Sequence, residues 1–129
     1  MSGDDLPPFE LGYPRTELRR QLVHAVLRGE KTATAGPAEE VERDGERVPK
    51  PGDRYVLHDF DDEPVAIVEI THAAVVPARL IDLQFARDEG EGFESVDEWR
   101  RAHERFFGGA IDDDTMIVAQ RFRVVETAR

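Results

Sequence analysis

The 129 residues suit one domain, and with 40% hydrophobic and 35% charged residues the chain is too apolar for a disordered tail. Seventeen basic against 28 acidic residues leave a formal net charge of −11, a field that repels nucleic acid phosphates and argues against sequence-blind duplex binding. Cysteine is absent, which excludes a disulfide scaffold, a thiolate metal site and a cysteine nucleophile.

Residues 1–14 are rich in proline, with Pro7, Pro8 and Pro14, and predict an extended lead-in whose alternating Phe9, Leu11 and Tyr13 can pack on the body. The start Met1-Ser2-Gly3-Asp4-Asp5 is acidic where a signal peptide is basic and then apolar. No apolar run reaches the roughly 20 residues needed to span a bilayer. A cytoplasmic protein with no membrane partner is therefore expected. Thr16–Arg28 predicts the first helix, with Leu18, Leu22, Val23, Val26 and Leu27 in one stripe. Thr16 suits the N-cap and Gly29 the left-handed position that stops the helix. Lys31-Thr32-Ala33-Thr34 follows at once, and its threonines favour extended backbone.

Residues 35–52 are polar and rich in Gly and Pro, and predict one long mobile loop. Asp53–Phe60 and Pro64–Thr71 predict two strands around the turn Asp61-Asp62-Glu63, with His72–Pro77 continuing the β pattern. Val65, Ile67, Val68 and Ile70 leave the second of these little polar surface, as a central strand requires. Ile81–Glu89 predicts a short helix ended by Gly90. Ser95–Phe107 predicts another, with Ser95 and Glu98 as a capping box and Val96, Trp99, His103, Phe106 and Phe107 on one face. Met116–Glu126 predicts a final strand. Three helices among about five strands, without regular βαβ units, indicate an α+β fold with a curved sheet or small barrel.

No dinucleotide-binding glycine motif, Walker loop, zinc-protease helix or serine-hydrolase elbow is present. His24, His58, His72 and His103 are scattered without compact ligand spacing, so no metal site is expected. What stands out is a set of runs in a fixed order. Gly29-Glu30-Lys31-Thr32-Ala33-Thr34 closes the first helix. Pro49-Lys50-Pro51-Gly52-Asp53 enters a strand. Phe85-Ala86-Arg87-Asp88-Glu89-Gly90-Glu91-Gly92 follows, then Trp99-Arg100-Arg101-Ala102-His103-Glu104-Arg105-Phe106-Phe107 and Gln120-Arg121-Phe122.

Taken together these runs resemble the ASCH domain family, from about Phe9 to Val125. The resemblance implies a PUA-like β-barrel of about five to six strands with helices packed outside, and an RNA- or nucleoside-related pocket. In one branch of the family, amidohydrolases remove the acetyl group of N(4)-acetylcytidine. The motif of that branch implies Lys31, Thr34 and Glu89 as the catalytic group here. Around them, Thr32, Glu91, Trp99, Arg100 and His103 are candidates for substrate binding. The chain is longer than that branch and carries the Glu91-Gly92 and Trp99/His103 runs, which the branch lacks.

The residue types fit amide hydrolysis, which needs a nucleophile, a proton acceptor and a charge that offsets the oxyanion. Two assignments are open. In one, neutral Lys31 activates Thr34. In the other, Glu89 takes the proton and Lys31, as a cation, holds the substrate oxygen. Two further functions compete with a hydrolase of modified nucleosides that uses no cofactor. One is a binding module for single-stranded RNA or a nucleotide without turnover. The other is a ribonuclease, the only case in which a divalent metal is implied. The structural alternatives are plain: Trp99, Phe106 and Phe107 as core, and Arg100, Arg101 and Arg105 as a solvated helix face.

Overall fold

The structure, a computed structural model, describes residues 5–11 and 15–128. Its elements in chain order are α1 (Glu17–Leu27), β1 (Ala33–Pro37), α2 (Ala38–Arg43), β2 (Arg54–His58), β3 (Pro64–Pro77), a 3₁₀ turn at Ala78–Leu80, α3 (Leu83–Asp88), α4 (Val96–Phe107) and β4 (Met116–Thr127). The strands form one antiparallel sheet in the order β1-β4-β3-β2. The α+β class holds, but the sheet has four strands, fewer than the five to six expected. No turn residue interrupts Thr71-His72-Ala73, so Pro64–Thr71 and its continuation His72–Pro77 form one 14-residue strand, β3, and count once.

β3 and β4 pair from Ala66↔Thr127 to Pro77↔Met116. The register slips twice, between Ile67 and Val68 and between Ile70 and His72, which sets an extra residue in each strand in turn. Such bulges bend and twist a ladder. The result is a curled half-barrel.

Helix ends follow local chemistry. The Thr16 side chain accepts from Arg19 N, and Gly29 at φ 78° takes the left-handed turn after α1. The Ser95 hydroxyl accepts from Glu98 N, while the Glu98 carboxylate turns to Glu94 N, so the expected capping box forms on one side only. Asp82 caps α3 through Phe85 N. The lead-in also packs: Phe9 and Leu11 are buried, and Pro7 and Phe9 exchange backbone hydrogen bonds with Val56, covering the outer edge of β2. The expectations for Tyr13, Pro14 and the acidic start at residues 1–4 lie outside the described residues.

The segment 35–52 is not one continuous loop. It holds the end of β1 and the helix α2, and only its remainder is connection. Ala38-Glu39-Glu40-Val41-Glu42-Arg43 is built of good helix formers, with acids in the first turn and Arg43 in the last. It buries no residue. With no apolar stripe, the helical period is invisible in the sequence.

Two apolar clusters pack on the sheet. One joins Phe9, Leu11, Leu22, Val23 and Val26 to Leu57, Val68, Ile70 and Phe122. The other joins Ala33 to Ile81, Phe85, Trp99, Ile111 and Ile117. α1 serves the first, α3 and α4 the second.

Candidate functional site

The segment after α1 is fixed from three sides. Glu30 N and Lys31 N donate to Ala25 O at 2.9 and 3.1 Å, Thr32 N donates to Asp88 O at 2.7 Å, and Phe122 N donates to Thr32 O at 3.1 Å. α1, the end of α3 and β4 thus meet at Lys31. The approach of α3 is close because Gly90 follows Glu89. A Cβ at Gly90 would stand 2.6 Å from Glu30 O and 2.7 Å from Lys31 Cα, and the residue also sits at φ +72°. Only glycine meets both demands.

This junction turns the Lys31 side chain inward. Lys31 and Glu89 are each 1% exposed in their side chains, and Nζ stands 3.7 Å from Glu89 Oε1. Nζ donates to Ala33 O at 3.0 Å and to Glu89 O at 3.2 Å, and Glu91 Oε2 lies 3.7 Å away. Two carbonyls and two carboxylates are the shell of an ammonium ion. Burial pushes the Glu91 carboxyl up from the usual carboxylate range; Lys31 pulls it back and Glu89 adds to the rise.

Glu89 is held from behind by α4. The Trp99 indole N–H donates to Glu89 Oε2, and His103 Nε2 lies 3.3 Å from Glu89 Oε1. Trp99 and His103 are one helical turn apart, and their rings stack with centroids at 4.2 Å. Both are buried.

These groups open onto a cavity of about 430 Å³ between the two apolar clusters. Lys31, Glu89, Glu91 and His103 line it, with Thr34 from β1. Leu11, Leu18 and Leu22 line it from the side of α1, and Phe106 and Phe107 from α4. The exposed Glu10, Glu40, Asp44 and Glu46 stand at its mouth. The volume lies within the range of small-ligand sites. Among the described residues, six carboxylates line it against a single lysine.

Of the candidates from the sequence, Lys31, Thr34, Glu89, Glu91 and His103 come together. Thr32, Trp99 and Arg100 do not reach this cavity. Thr32 lines another, of about 320 Å³, beside Phe122 and Val124, and its hydroxyl reaches Asp88 O at 3.5 Å. Trp99 lies behind Glu89, and Arg100 pairs with Asp113 at 3.0 Å. Sequence reasoning assigned Phe106 to the core, yet it is 55% exposed and lines the cavity. It also missed the acids at the mouth, whose surface composition carries no signal. Among the described residues, no group of three or more His, Asp or Glu side chains is arranged to hold a metal ion. Nor is any helix among them long and apolar enough to cross a membrane.

A curled four-stranded antiparallel sheet with helices packed on it is a PUA-like fold. The sequence profile of the ASCH domain matches residues 11–126, and the chain belongs to that family. No curated protein matches it. The crystal structure of an ASCH domain from Lactobacillus crispatus JV V101 is similar with a TM-score of 0.78 at 28% identity, over 91% of this chain and 78% of that one. A protein of Enterococcus faecalis V583 is similar with a TM-score of 0.79 at 27% identity, over 91% of this chain and 75% of that one. A hypothetical protein, PH0355, shares the fold at 15% identity, with a TM-score of 0.62, over 84% of this chain and 94% of that one.

Proposed function

We propose that this ASCH domain is an amidohydrolase that cleaves the acyl amide of a modified nucleoside of the N(4)-acetylcytidine type. The observation that supports this most is the meeting of Lys31, Thr34 and Glu89 at one cavity, with Lys31 and Glu89 buried side by side. A buried ion pair is a poor device for stability, because desolvation offsets its attraction. Its place at the floor of the cavity favours a chemical role.

The shell of Lys31 favours the assignment in which Glu89 accepts the proton. The Thr34 hydroxyl, or a water in its place, attacks the acyl carbon and gives its proton to Glu89. The Lys31 ammonium offsets the charge that grows on the acyl oxygen. The bond to the exocyclic nitrogen breaks as that nitrogen receives the proton. If Thr34 is the nucleophile, a water then frees the acyl group by the same steps.

The acidic lining weighs against the two competing functions. A phosphodiester chain entering for binding or cleavage passes the exposed carboxylates of Glu10, Glu40, Asp44 and Glu46, which repel it. An uncharged nucleoside does not.

The test is cytidine release from N(4)-acetylcytidine by the purified protein. Lys31→Met, Thr34→Ala and Glu89→Gln are each expected to lower kcat/KM by at least about 100-fold. Hydrolysis that persists in all three variants overturns the assignment. Degradation of single-stranded RNA, with or without manganese, supports the ribonuclease instead.

A further inference from the structure

His103 lines the cavity, but its ring is committed elsewhere. Its Nδ1 lies 2.8 Å from Trp99 O. A carbonyl oxygen has no hydrogen to give, so Nδ1 must carry one. The ring is packed against Trp99 and caged by Phe93, Phe106 and Phe107, with centroids at 5.9, 6.0 and 5.6 Å. Its orientation is thereby set, and Nε2 faces the Glu89 carboxylate at 3.3 Å.

Two lone pairs in a buried site repel. One hydrogen must lie between Nε2 and the carboxylate, placed on one or the other. The charged groups that face this gap are Glu89 and Glu91 from the end of α3 and the loop after it, and Lys31 from the segment before β1. On α4 itself, Arg100 turns away to Asp113 and Glu104 to Ile111 N. The Trp99 indole already donates to this carboxylate and Lys31 Nζ stands 3.7 Å from it, the surroundings of an acceptor, so the hydrogen belongs on Nε2.

We propose that His103 is a positioning residue that carries the hydrogen facing Glu89 on its Nε2, and so holds the Glu89 carboxylate oriented to accept the reaction proton. This rests on the hydrolase proposal for its kinetic consequence, but not for the location of the hydrogen. During turnover the proton from the attacking oxygen passes to Glu89 and on to the leaving nitrogen. His103 keeps both of its hydrogens throughout. The indole of Trp99 holds the other carboxylate oxygen in the same way, as a donor that never titrates.

The decisive experiment is ¹⁵N NMR of the intact wild-type protein, with the His103 ring assigned through its proximity to the Trp99 indole. At neutral pH both ring nitrogens are expected to carry hydrogen. In Glu89→Gln the ring should give up its Nε2 hydrogen more readily than in the wild type, because the facing anion is gone. A wild-type ring with hydrogen on Nδ1 alone overturns the proposal, and this holds whether or not any variant folds. Kinetics on N(4)-acetylcytidine supply the second arm. His103→Gln should lower kcat by about 10- to 100-fold with little change in KM. A raised KM with unchanged kcat means that His103 contacts substrate, and also overturns the proposal. If the wild type releases no cytidine, the hydrolase proposal falls, and the NMR result still decides where the hydrogen lies.

Discussion

Gly90→Ala tests whether the site is built by close backbone approach. Two penalties are expected. The left-handed backbone at φ +72° costs an alanine about 1–2 kcal/mol. The new Cβ would also stand 2.6 Å from Glu30 O and 2.7 Å from Lys31 Cα, both backbone atoms held by α1. Relief requires α3 and the Lys31 segment to part, an overpacking cost of about 1–3 kcal/mol. Together the loss is about 2–5 kcal/mol, a large share of a small domain's stability. Gly92→Ala is the control. It has a similar φ of +83° but nothing within 4 Å of a Cβ, so only the first penalty applies. Urea unfolding of both variants gives the difference between them, which should be about 1–3 kcal/mol. Gly90→Ala should also lose the proposed hydrolysis in its folded fraction, since Lys31 moves with its backbone. Equal destabilisation by the two variants would refute the close approach as the element that joins Lys31 to Glu89.

Trp99→Phe keeps most of the ring but removes the hydrogen that Glu89 Oε2 accepts. A loss of about 1–3 kcal/mol is expected from leaving a buried acceptor unpaired, measured by denaturant midpoint, and no loss would mean that water replaces the indole. Glu91→Gln reads the pH dependence. Burial raises the Glu91 carboxyl in the folded state, so the folded protein holds this proton more tightly than the unfolded chain does. Stability from this group is full below the unfolded value and falls as pH rises through the folded one. Glu91→Gln should therefore melt at higher temperature than the wild type near neutral pH, with the gap closing in acid. The opposite trend would show that the attraction of Lys31 outweighs burial.

Much of this was legible in the chain because the signals were local. Thr16, Gly29 and Ser95 bound helices whose apolar faces repeat at helical spacing, and these helices form as expected. Lys31 and Glu89 carried a subtler signal, a cation and an anion beside glycines at two helix ends. What stayed hidden depends on distant contacts. Nothing near Gly90 in sequence says that Glu30 will press against it. Trp99 and His103 share a face in the sequence, but only the packing shows that one lies behind Glu89 and the other beside it. Arg100, one residue along, points to Asp113 because the helix turns it away from the cavity. α2 escaped notice for the opposite reason, having no apolar side to reveal it.

That bare helix separates two kinds of constraint within a small protein. The charged floor is tied into α1, α3, α4 and β4, so a change there disturbs the framework. The mouth is bordered by Glu40 and Val41 of α2 and by Asp44 just beyond it, none of them buried. Substitutions at those three positions can alter which molecules are admitted while folding is almost untouched. Under the proposed reaction, the choice of substrate can thus be rewritten on one short surface helix without touching the charged floor.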